Sequence, residues 1–449
     1  MTELIILSLT GVAALVSEFL NFRKLLLPMA ILALLGVLGL SFSHLGSSEL
    51  LYNMLSLDGF SRPFLMVLCT LGMLWFWGFR RFFEDENTTT DYFALALFSF
   101  AGAVCMVSYT NLAMLFLGVE ILSIPVYVLA GTRKTDARGN EASFKYFLLG
   151  AFSSAFLLFG IALLYGATGT FDLGEISTKI STLSADNRTI LQVGFVLTVA
   201  AFAFKVAAAP FHFWAPDVYE GSPTPVTAYM VTVVKVAAFA ALLKFFETFQ
   251  AAIPQTVAWV VYALCFLTLM VANIIAASQK NVKRLMAYSS ISHTGFMLTG
   301  IFSLQQGAHD LLVYYGLVYG ISSLIAFRVL WYLRNEVADI QDFKGLLHTN
   351  PLAAVSVIMA MLSMAGIPPL AGFVAKYRVL SAASAAGQGW LVVVGIIASL
   401  LAIYYYFKII IVMFEPSEAA PTRPLKMADK VFLLVCSALL IGLTVVPLV

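Results

Sequence analysis

The chain alternates long apolar runs with short polar connections along its whole length. At about 1.5 Å per residue, about 20 apolar residues cross the roughly 30 Å hydrocarbon core of a bilayer as a helix. The runs are too long and too continuous for barrel strands. The pattern therefore predicts an all-α polytopic membrane protein with about fourteen transmembrane helices. The predicted spans are 3–20, 25–43, 60–79, 91–109, 111–131, 142–166, 189–218, 223–247, 254–278, 284–303, 309–333, 351–386, 388–414 and 429–448.

Two of these runs are too long for one straight helix. The run from Thr189 to Val218 would be about 45 Å long, against a hydrocarbon core of about 30 Å. It contains Pro210, and the run 351–386 contains the pair Pro368-Pro369. Proline removes a backbone donor and interrupts a helix. We therefore expect the seventh and twelfth helices to be discontinuous.

The basic residues favour one set of connections. Fifteen of the 26 lysines and arginines lie in one set of alternate connections, and four lie in the other set. Because Lys and Arg accumulate on the cytoplasmic side, this bias predicts that both termini are on the outer, periplasmic side of a cytoplasmic membrane. The first run has no basic segment before it, so we expect a retained span and not a signal peptide.

Weak sequence similarity relates two groups of spans. Span five ends in YVLAG and span ten in FMLTG, and span six contains KYFLLGAFSS where span eleven contains YYGLVYGISS. A proline-broken span follows each group, and inverted repeats with broken helices are typical of transporters. We expect one membrane domain, 1–449. Its predicted parts are helices 1–3 (1–90), two inverted five-helix repeats over spans 4–8 (91–247) and spans 9–13 (254–414), and a last helix (415–449).

Composition restricts the function. Hydrophobic residues make up 61% of the chain and charged residues 11%, whereas soluble domains carry about 25% charged residues. The four cysteines lie in apolar runs and form no CxxC pair, so we expect neither an iron–sulfur cluster nor a disulfide framework. No phosphate-binding loop or metal-ligand spacing is present. We therefore expect no cofactor, metal or nucleic acid on this chain.

Three ionisable residues lie deepest in the predicted spans. Lys205 lies in the middle of the broken seventh span, Lys235 twelve residues into span eight, and Glu120 nine residues into span five. A lysine at a helix centre costs about 2.5–3.5 kcal/mol on insertion, and such residues usually mark an ion or proton path. We interpret the three as proton-path residues, with Glu120 and Lys205 as a pair. The alternatives are snorkelling of Lys205 and a structural ion pair without a transport role.

Three other residues are weaker candidates. Lys145 begins span six four residues after Glu141, so an end-anchoring ion pair competes with a role in the path. Lys376 follows the second break and is also near enough to an end to snorkel. His293 in span ten is a candidate proton relay, because imidazole titrates near neutral pH. The alternative for His293 is a hydrogen-bonded interior histidine.

The remaining polar residues of the spans give less specific expectations. Lys244 is expected to snorkel and to pair with Glu247, while Arg328 and Lys408 have no assigned role. Hydroxyl side chains that would help to hold a water chain are Tyr229, Ser289, Ser290, Ser292, Thr294 and Tyr314.

The stretch FKVAAAPFHFWAPDVYEGSPTPVTAY resembles the seventh-helix signature of the antiporter-like membrane subunits of respiratory complex I, NADH–quinone oxidoreductase. Its core, PFHxWxPD, is shared with the multi-subunit sodium/proton antiporters of the Mrp type. The continuation VYEGSPTPVTAY, with EASFKYFLLGAFSSAFLLFG and QKNVKRLMAYSSISHTGFML, resembles the subunit N family in particular. The resemblance covers essentially the whole chain.

The resemblance implies a proton channel lined by Glu120, Lys145, Lys205, Lys235 and Lys376. It implies a non-redox subunit of a proton-translocating NADH:quinone oxidoreductase in a bacterial inner membrane, in which quinone reduction elsewhere drives pumping. NADH, FMN, iron–sulfur clusters and quinone are then expected on other subunits. The expected partners are other membrane subunits of complex I, including further antiporter-like subunits, and the lipid bilayer. The alternatives are a subunit of an Mrp-type sodium/proton antiporter and a structural spacer with an inactive pathway.

The two breaks differ in one respect. If Pro210 is aligned with Pro369, Lys205 precedes its break and Lys376 follows its own. The two lysines are therefore not symmetry mates in the sequence, which favours two stations on one path over two copies of one site.

Overall fold

The computed structural model describes residues 2–20, 22–83, 89–133, 135–250, 255–303, 307–333, 339–416 and 425–445. Helices dominate these residues. They are α1 (Thr2–Leu20), α2 (Leu26–Ser43), α3 (Ser61–Gly78), α4 (Thr89–Ser108), α5 (Leu112–Ala130), α6 (Ala137–Thr168), α7 (Leu173–Lys179), α8 (Ala185–Lys205), α9 (Trp214–Gly221), α10 (Thr224–Tyr229), α11 (Lys235–Phe249), α12 (Gln255–Ser278), α13 (Val282–Ser303), α14 (Ala308–Tyr332), α15 (Leu346–Thr349), α16 (Pro351–Ala365), α17 (Ala371–Ala385), α18 (Gly389–Phe414) and α19 (Met427–Val445).

Eleven helical segments of the described residues are long and apolar enough to cross a bilayer. The chain is therefore a multi-pass membrane protein, as predicted. The three other predicted spans coincide with α3, with α13 and with the pair α16 and α17. Of these, α16 has only 15 residues, and α3 and α13 carry charged residues. The count of fourteen spans, the inverted repeats and the domain limits stay predictions.

A small β-hairpin lies between α2 and α3. Strand β1 (Glu49–Leu51) pairs antiparallel with β2 (Leu55–Leu57). The turn between them places Tyr52 and Asn53 in the left-handed region, at φ 51° and 57°. The expectation of an all-α chain did not include this hairpin. Six residues of strand carry little periodicity signal, so the sequence pattern does not reveal them.

Both long runs are interrupted as expected. The chain leaves α8 after Lys205 and becomes helical again at Trp214, so the interruption contains Pro210. The second interruption separates α16 from α17 and contains Pro368 and Pro369. The bonds Ala209–Pro210 and Pro368–Pro369 are cis.

One segment forms the centre of the molecule. Residues Thr224–Phe249 comprise α10, a π-helical turn at Met230–Val234 and α11, and every residue of the segment's most apolar window is buried. Because a fully buried helix meets protein on all sides, polar groups on it can contact several elements. Lys235, the first residue of α11, therefore lies where neighbouring helices can surround it.

Two charged clusters define one face of the molecule, which we call the basic face. Asp429 accepts from Arg80 at 2.6 Å and Arg81 at 2.8 Å and lies 2.9 Å from Arg328. A second cluster contains Asp217 and Arg284, 2.8 Å apart. The charge bias predicts that this face is cytoplasmic, and that orientation stays a prediction. Three basic residues counted for that bias, Lys134, Arg334 and Arg423, lie outside the described residues, as do residues 446–448 at the end of the last predicted span.

Lys244 corrects one expectation. Its Nζ lies over the rings of Phe60 and Tyr109, at 5.2 and 5.7 Å from their centroids, and among the described residues it has no hydrogen-bond partner. The predicted pairing with Glu247 is therefore limited to an interaction of the two charges, without a direct ion pair. The reason is tertiary, since Phe60, just before α3, and Tyr109, just after α4, provide the aromatic rings that cover the ammonium. Burial would raise the pKa of Asp58, just before α3, but the charge of Lys244 and hydrogen bonds from the start of α3 outweigh it and lower that pKa below its ordinary value.

Candidate functional site

Polar caps fix the positions of the two helices that begin the candidate site. Asn111 accepts from the N–H of Ala113 at 2.9 Å and starts α5. Asp136 accepts from the N–H of Arg138 at 3.0 Å and starts α6. A side-chain cap satisfies an N–H that has no partner within the helix. These caps set the registers in which α5 presents Glu120 and α6 presents its serines.

Glu120 and Lys205 are both hydrogen bonded by serines. Ser154 of α6 donates to Oε1 of Glu120, and Nζ of Lys205 donates to Oγ of Ser123. Ser123 is three residues after Glu120, so both lie on one face of α5. Within the described residues the two charged groups form no direct ion pair. Glu120 and Ser123 lie about a helical turn apart on one face of α5, and Lys205 of α8 reaches that face through Ser123.

The interruption after Lys205 is stabilised by side chains from neighbouring helices. Thr294 of α13 donates to the carbonyl of Val206 at 2.7 Å, and the N–H of Ala209 donates to Oγ1 of Thr268 on α12 at 3.0 Å. Irregular backbone at membrane depth persists only where protein or water satisfies its polar groups. The break is therefore attached to α12 and α13.

Lys235 is buried in a site without a carboxylate. Its Nζ donates to the carbonyl of Ser290 at 2.8 Å, to Oγ of Ser290, and to Oγ1 of Thr294 at 2.9 Å. An ammonium has three donors, and these contacts use them. Lys235 is only 2% exposed, and no described acid pairs with it. Burial of a charge that has only neutral partners is energetically unfavourable.

Thr294 joins Lys235 to the break. Its Oγ1 accepts from Nζ of Lys235 and donates to the carbonyl of Val206, the residue that follows Lys205. One hydroxyl therefore connects the two deep lysines through a single backbone unit.

His293 lies on the same helix, three residues after Ser290. Its Nδ1 is 2.7 Å from the hydroxyl of Tyr315, and its Nε2 is 3.4 Å from the hydroxyl of Tyr406. The ring lies against Tyr319, with centroids 4.6 Å apart, and Nζ of Lys235 is 5.9 Å from the centroid of Tyr319. The imidazole thus has polar partners at both nitrogens and lies next to the lysine site.

Lys376 lies beyond His293, next to the second break. Its Nζ donates to the carbonyl of Ala365 at 3.0 Å and lies 4.7 Å from the centroid of Phe296. A cavity of about 10 Å³ next to His293 is also lined by Ser363 and by Ala375, the residue before Lys376. That volume is on the order of one water molecule. Lys376 is 5% exposed, which excludes snorkelling to the surface in this conformation.

Lys145 belongs to the cluster at the basic face. Its Nζ lies 2.7 Å from Glu141 and 2.9 Å from Asp217, which also accepts from Arg284 at 2.8 Å. This is the end-anchoring arrangement that competed with a path role. Among the described residues Lys145 contacts neither Glu120 nor Lys205, and its place in the path stays a prediction.

Several polar residues of the site were not singled out from the sequence. Ser123 and Ser154 hold Lys205 and Glu120, and Tyr406 contacts both His293 and Ser289. The i, i+3 spacing from Glu120 would have indicated Ser123, whereas Ser154 and Tyr406 come from distant parts of the chain.

The six hydroxyl residues named from the sequence separate into two groups. Ser290 and Thr294 bind Lys235, Ser289 binds Tyr406, and Ser292 accepts from Asn273 at 2.8 Å. The other two lie elsewhere. Tyr229 donates to Ser99 at 3.2 Å, and Tyr314 donates to the carbonyl of Leu443 at 2.9 Å.

The described residues contain no group of three or more His, Cys, Asp or Glu side chains arranged to hold a metal ion. The four cysteines are buried and unpaired. The site offers hydroxyls, an imidazole, a carboxylate, the two buried ammonium groups of Lys235 and Lys376, and the half-buried ammonium of Lys205.

Comparison with known proteins identifies the family. A family model described as NADH:quinone oxidoreductase/Mrp antiporter, TM, matches residues 110–402. The NADH-quinone oxidoreductase subunit N of Cytophaga hutchinsonii is 40% identical, over 100% of this chain and 98% of the relative. Respiratory complex I from Thermus thermophilus contains a chain that is 33% identical, with a TM-score of 0.87 over 99% of this chain and 97% of that one.

The Mrp complex from Dietzia sp. contains a chain with a TM-score of 0.86, over 99% of this chain and 94% of that one. Its identity is 21%, so this likeness shows a shared fold alone. The resemblance found in the sequence is confirmed: the chain belongs to the NADH-quinone oxidoreductase subunit N family of antiporter-like membrane proteins.

Proposed function

We propose that this chain is a proton-translocating subunit of a bacterial NADH–quinone oxidoreductase, and that its path runs from Glu120 and Lys205 through Lys235 and His293 to Lys376. The observation that carries the proposal is the double hydrogen bond of Thr294, to Lys235 and to the carbonyl after Lys205. It joins a broken helix to a buried lysine without a counter-charge. Such ionisable groups inside a membrane usually serve ion or proton movement.

The remaining steps of the path rest on neighbouring contacts. Ser123 and Ser154 hold Lys205 and Glu120 on one side of Thr294. On the other side, the ring of Tyr319 lies against His293, and a cavity of about 10 Å³ is lined by His293 and by Ala375, the residue before Lys376. Hydroxyls, imidazole and single waters are groups through which protons move. The line of contacts therefore supports lateral transfer between α5 and α17.

In the proposed mechanism, a change at one end of the assembly during quinone reduction shifts charge between Glu120 and Lys205. Lys205 loads a proton from the basic face, Lys235 passes a proton along the middle of the membrane, and Lys376 releases one to the opposite side. Lys145 would lie at the start of this path. The chain itself holds no redox cofactor in this proposal. NADH, FMN, iron–sulfur clusters and quinone belong to other subunits.

The proposal includes the surroundings of the chain. Its partners are other membrane subunits of the complex, further antiporter-like subunits among them, and the lipid of the bacterial inner membrane. Fourteen spans with both termini on the periplasmic side, and two inverted five-helix repeats, complete the expected topology. A subunit of an Mrp-type antiporter is the alternative, and proteins co-purified from membranes distinguish the two, because only complex I brings flavin and iron–sulfur subunits.

The test uses the intact complex reconstituted in liposomes, with proton pumping measured per NADH oxidised. We expect Glu120→Gln and Lys205→Ala each to lower pumping about tenfold or more, because a positioned proton donor or acceptor contributes about 10²–10⁴ to a transfer step. The matched controls are Glu175→Gln and Lys179→Ala, whose side chains on α7 are 60% and 44% exposed. Unchanged pumping by both path variants at normal assembly would contradict the proposal.

A further inference from the structure

A second small cavity lies beside Lys205. Its volume is about 20 Å³, and its walls include Lys205, Ser153, Ser154, Gly150 and Tyr127. To hold a water molecule, a cavity needs a volume of about 10–15 Å³ and polar groups that can hydrogen bond to the water. The serine hydroxyls, the phenol and the ammonium supply such partners. The cavity is therefore suited to a water that contacts Lys205.

Tyr127 reaches this cavity because residue 150 is glycine. A Cβ atom at Gly150 would lie 2.2 Å from the hydroxyl oxygen of Tyr127 and 2.7 Å from its Cζ. Distances below 3.0 Å are not tolerated between such atoms. Ser143 of α6 donates to the carbonyl of Tyr127 at 2.7 Å and fixes the backbone there. The phenol thus fits between α5 and α6 because Gly150 has no side chain there.

Tyr127 continues a polar stripe along α5. Glu120, Ser123 and Tyr127 are spaced by three and four residues, which places them on one face of the helix. Ser123 binds Lys205, and Tyr127 lies one turn further towards the end of α5 at the basic face. The stripe therefore extends from the Lys205 site in the direction from which protons are proposed to load.

Beyond Tyr127, aromatic rings separate the cavity from the basic face. The ring of Tyr127 meets Tyr146 edge-on at 4.6 Å, and Tyr146 stacks on Trp214 at 4.7 Å with an interplanar angle of 8°. The next layer is the ion pair of Lys145 and Asp217, the residues next to Tyr146 and three after Trp214. In this conformation the phenol hydroxyl is the polar group that lies between these rings and the cavity.

We propose that Tyr127 is a proton-path residue through which Lys205 exchanges protons with the basic face. The inference rests on the proposed function of Lys205. In the step, the Tyr127 hydroxyl passes its proton to a cavity water, which passes a proton to the neutral amine of Lys205. Tyr127 at the same time accepts a proton from a hydronium ion on the basic side, which becomes water, so the phenol is neutral before and after, and one proton moves from the basic face to Lys205.

The test compares Tyr127→Phe with the unaltered protein in the intact complex in liposomes. Phenylalanine keeps the ring that packs on Tyr146 and removes only the hydroxyl. We expect pumping per NADH to fall about tenfold, since a positioned acid–base group contributes about 10²–10⁴ to a proton transfer. We also expect a larger solvent deuterium isotope effect on coupled turnover, because loading of Lys205 becomes the slow step. A purely structural role of the hydroxyl would leave the isotope effect unchanged.

A second variant tests the same geometry from the other helix. Gly150→Ala displaces the phenol, and we expect it to reduce pumping as Tyr127→Phe does. The matched control is Gly166→Ala on the same helix, where an added Cβ meets nothing within 4 Å. Normal pumping by Tyr127→Phe overturns the inference, even if Gly150→Ala is impaired or does not assemble.

Lys205→Ala, measured in parallel, separates this inference from the proposed function. Normal pumping by Lys205→Ala contradicts the proposed function. Impaired pumping by Lys205→Ala, with normal pumping and isotope effect in Tyr127→Phe, contradicts only the role of Tyr127.

Discussion

Thr294 and Lys235 show how single residues would build the proposed path. Lys235 donates its three hydrogen bonds to one carbonyl and two hydroxyls. One of these hydroxyls, that of Thr294, donates in turn to the carbonyl of Val206. Neither contact involves a carboxylate. A hydroxyl can donate and accept at once, which an acid anion cannot. These contacts therefore favour a path in which neutral hydroxyl groups relay protons between charged lysines.

Thr294→Val tests this relay. The substitution keeps the branched shape but removes both hydrogen bonds, and a bond to a charged group contributes about 1.5–3 kcal/mol. We expect pumping per NADH in the reconstituted complex to fall about tenfold, because about 1.4 kcal/mol on a barrier is tenfold in rate. The control is Thr299→Val, whose hydroxyl donates to the carbonyl of Gly295 in its own helix. Equal pumping by the two variants would argue against a relay at Thr294.

At the scale of helices, the two interruptions determine where Lys205 and Lys376 lie. The break after α8 brings Lys205 to the end of a helix, and the break after α16 leaves Lys376 on the following helix, near the carbonyl of Ala365. The lysines lie on opposite sides of their breaks, as the alignment of Pro210 with Pro369 indicated. Each lysine therefore contacts a different part of its interruption, which suits two successive stations.

Gly366→Ala tests the second break. Gly366 ends α16 at φ 82°, and an added Cβ would lie 2.8 Å from Cδ of Lys376. We expect lower pumping because the lysine side chain must move. Gly387→Ala is the control, since its φ is 76° but nothing lies within 4 Å. Both variants pay the strain of a left-handed residue, about 1–2 kcal/mol. Similar losses in both would assign the effect to strain and not to Lys376.

At the scale of the whole molecule, Asp429 connects helices that are far apart in the sequence. It is 1% exposed and binds Arg80, Arg81 and Arg328, which attaches α19 to the end of α3 and to α14. From the sequence, Arg328 had no assigned role and Asp429 was not a candidate. The structure gives both a part in holding the last helix to the remainder of the bundle.

Asp429→Asn is expected to destabilise the assembled complex. Removal of one partner from a buried ion pair costs about 3–5 kcal/mol, because the other charge is left without compensation. The measurement is thermal stability and yield of the purified complex. Glu415→Gln is the control, since its pair with Lys344 is exposed and such pairs contribute about 0–1 kcal/mol. Equal stability of the two variants would show that Asp429 is not needed for attachment of α19.

The sequence by itself determined the class of protein, the extent of most helices, the two interruptions and the family. These follow from hydropathy, from proline and from a long signature, all of which are local properties of the chain. It also identified the deep ionisable residues Glu120, Lys205, Lys235 and Lys376, because a charge in an apolar run is visible without a structure.

Only the tertiary structure decided which groups these residues meet. Ser154 reaches Glu120 across 34 residues of chain, Thr294 reaches Val206 across 88, and Phe60 reaches Lys244 from outside the first predicted repeat. Such contacts depend on how helices pack and on the small residues that let them approach, as Gly150 does for Tyr127. The hydropathy of the sequence indicates whether a side chain is buried away from water. The packing of the helices determines which groups that buried side chain contacts.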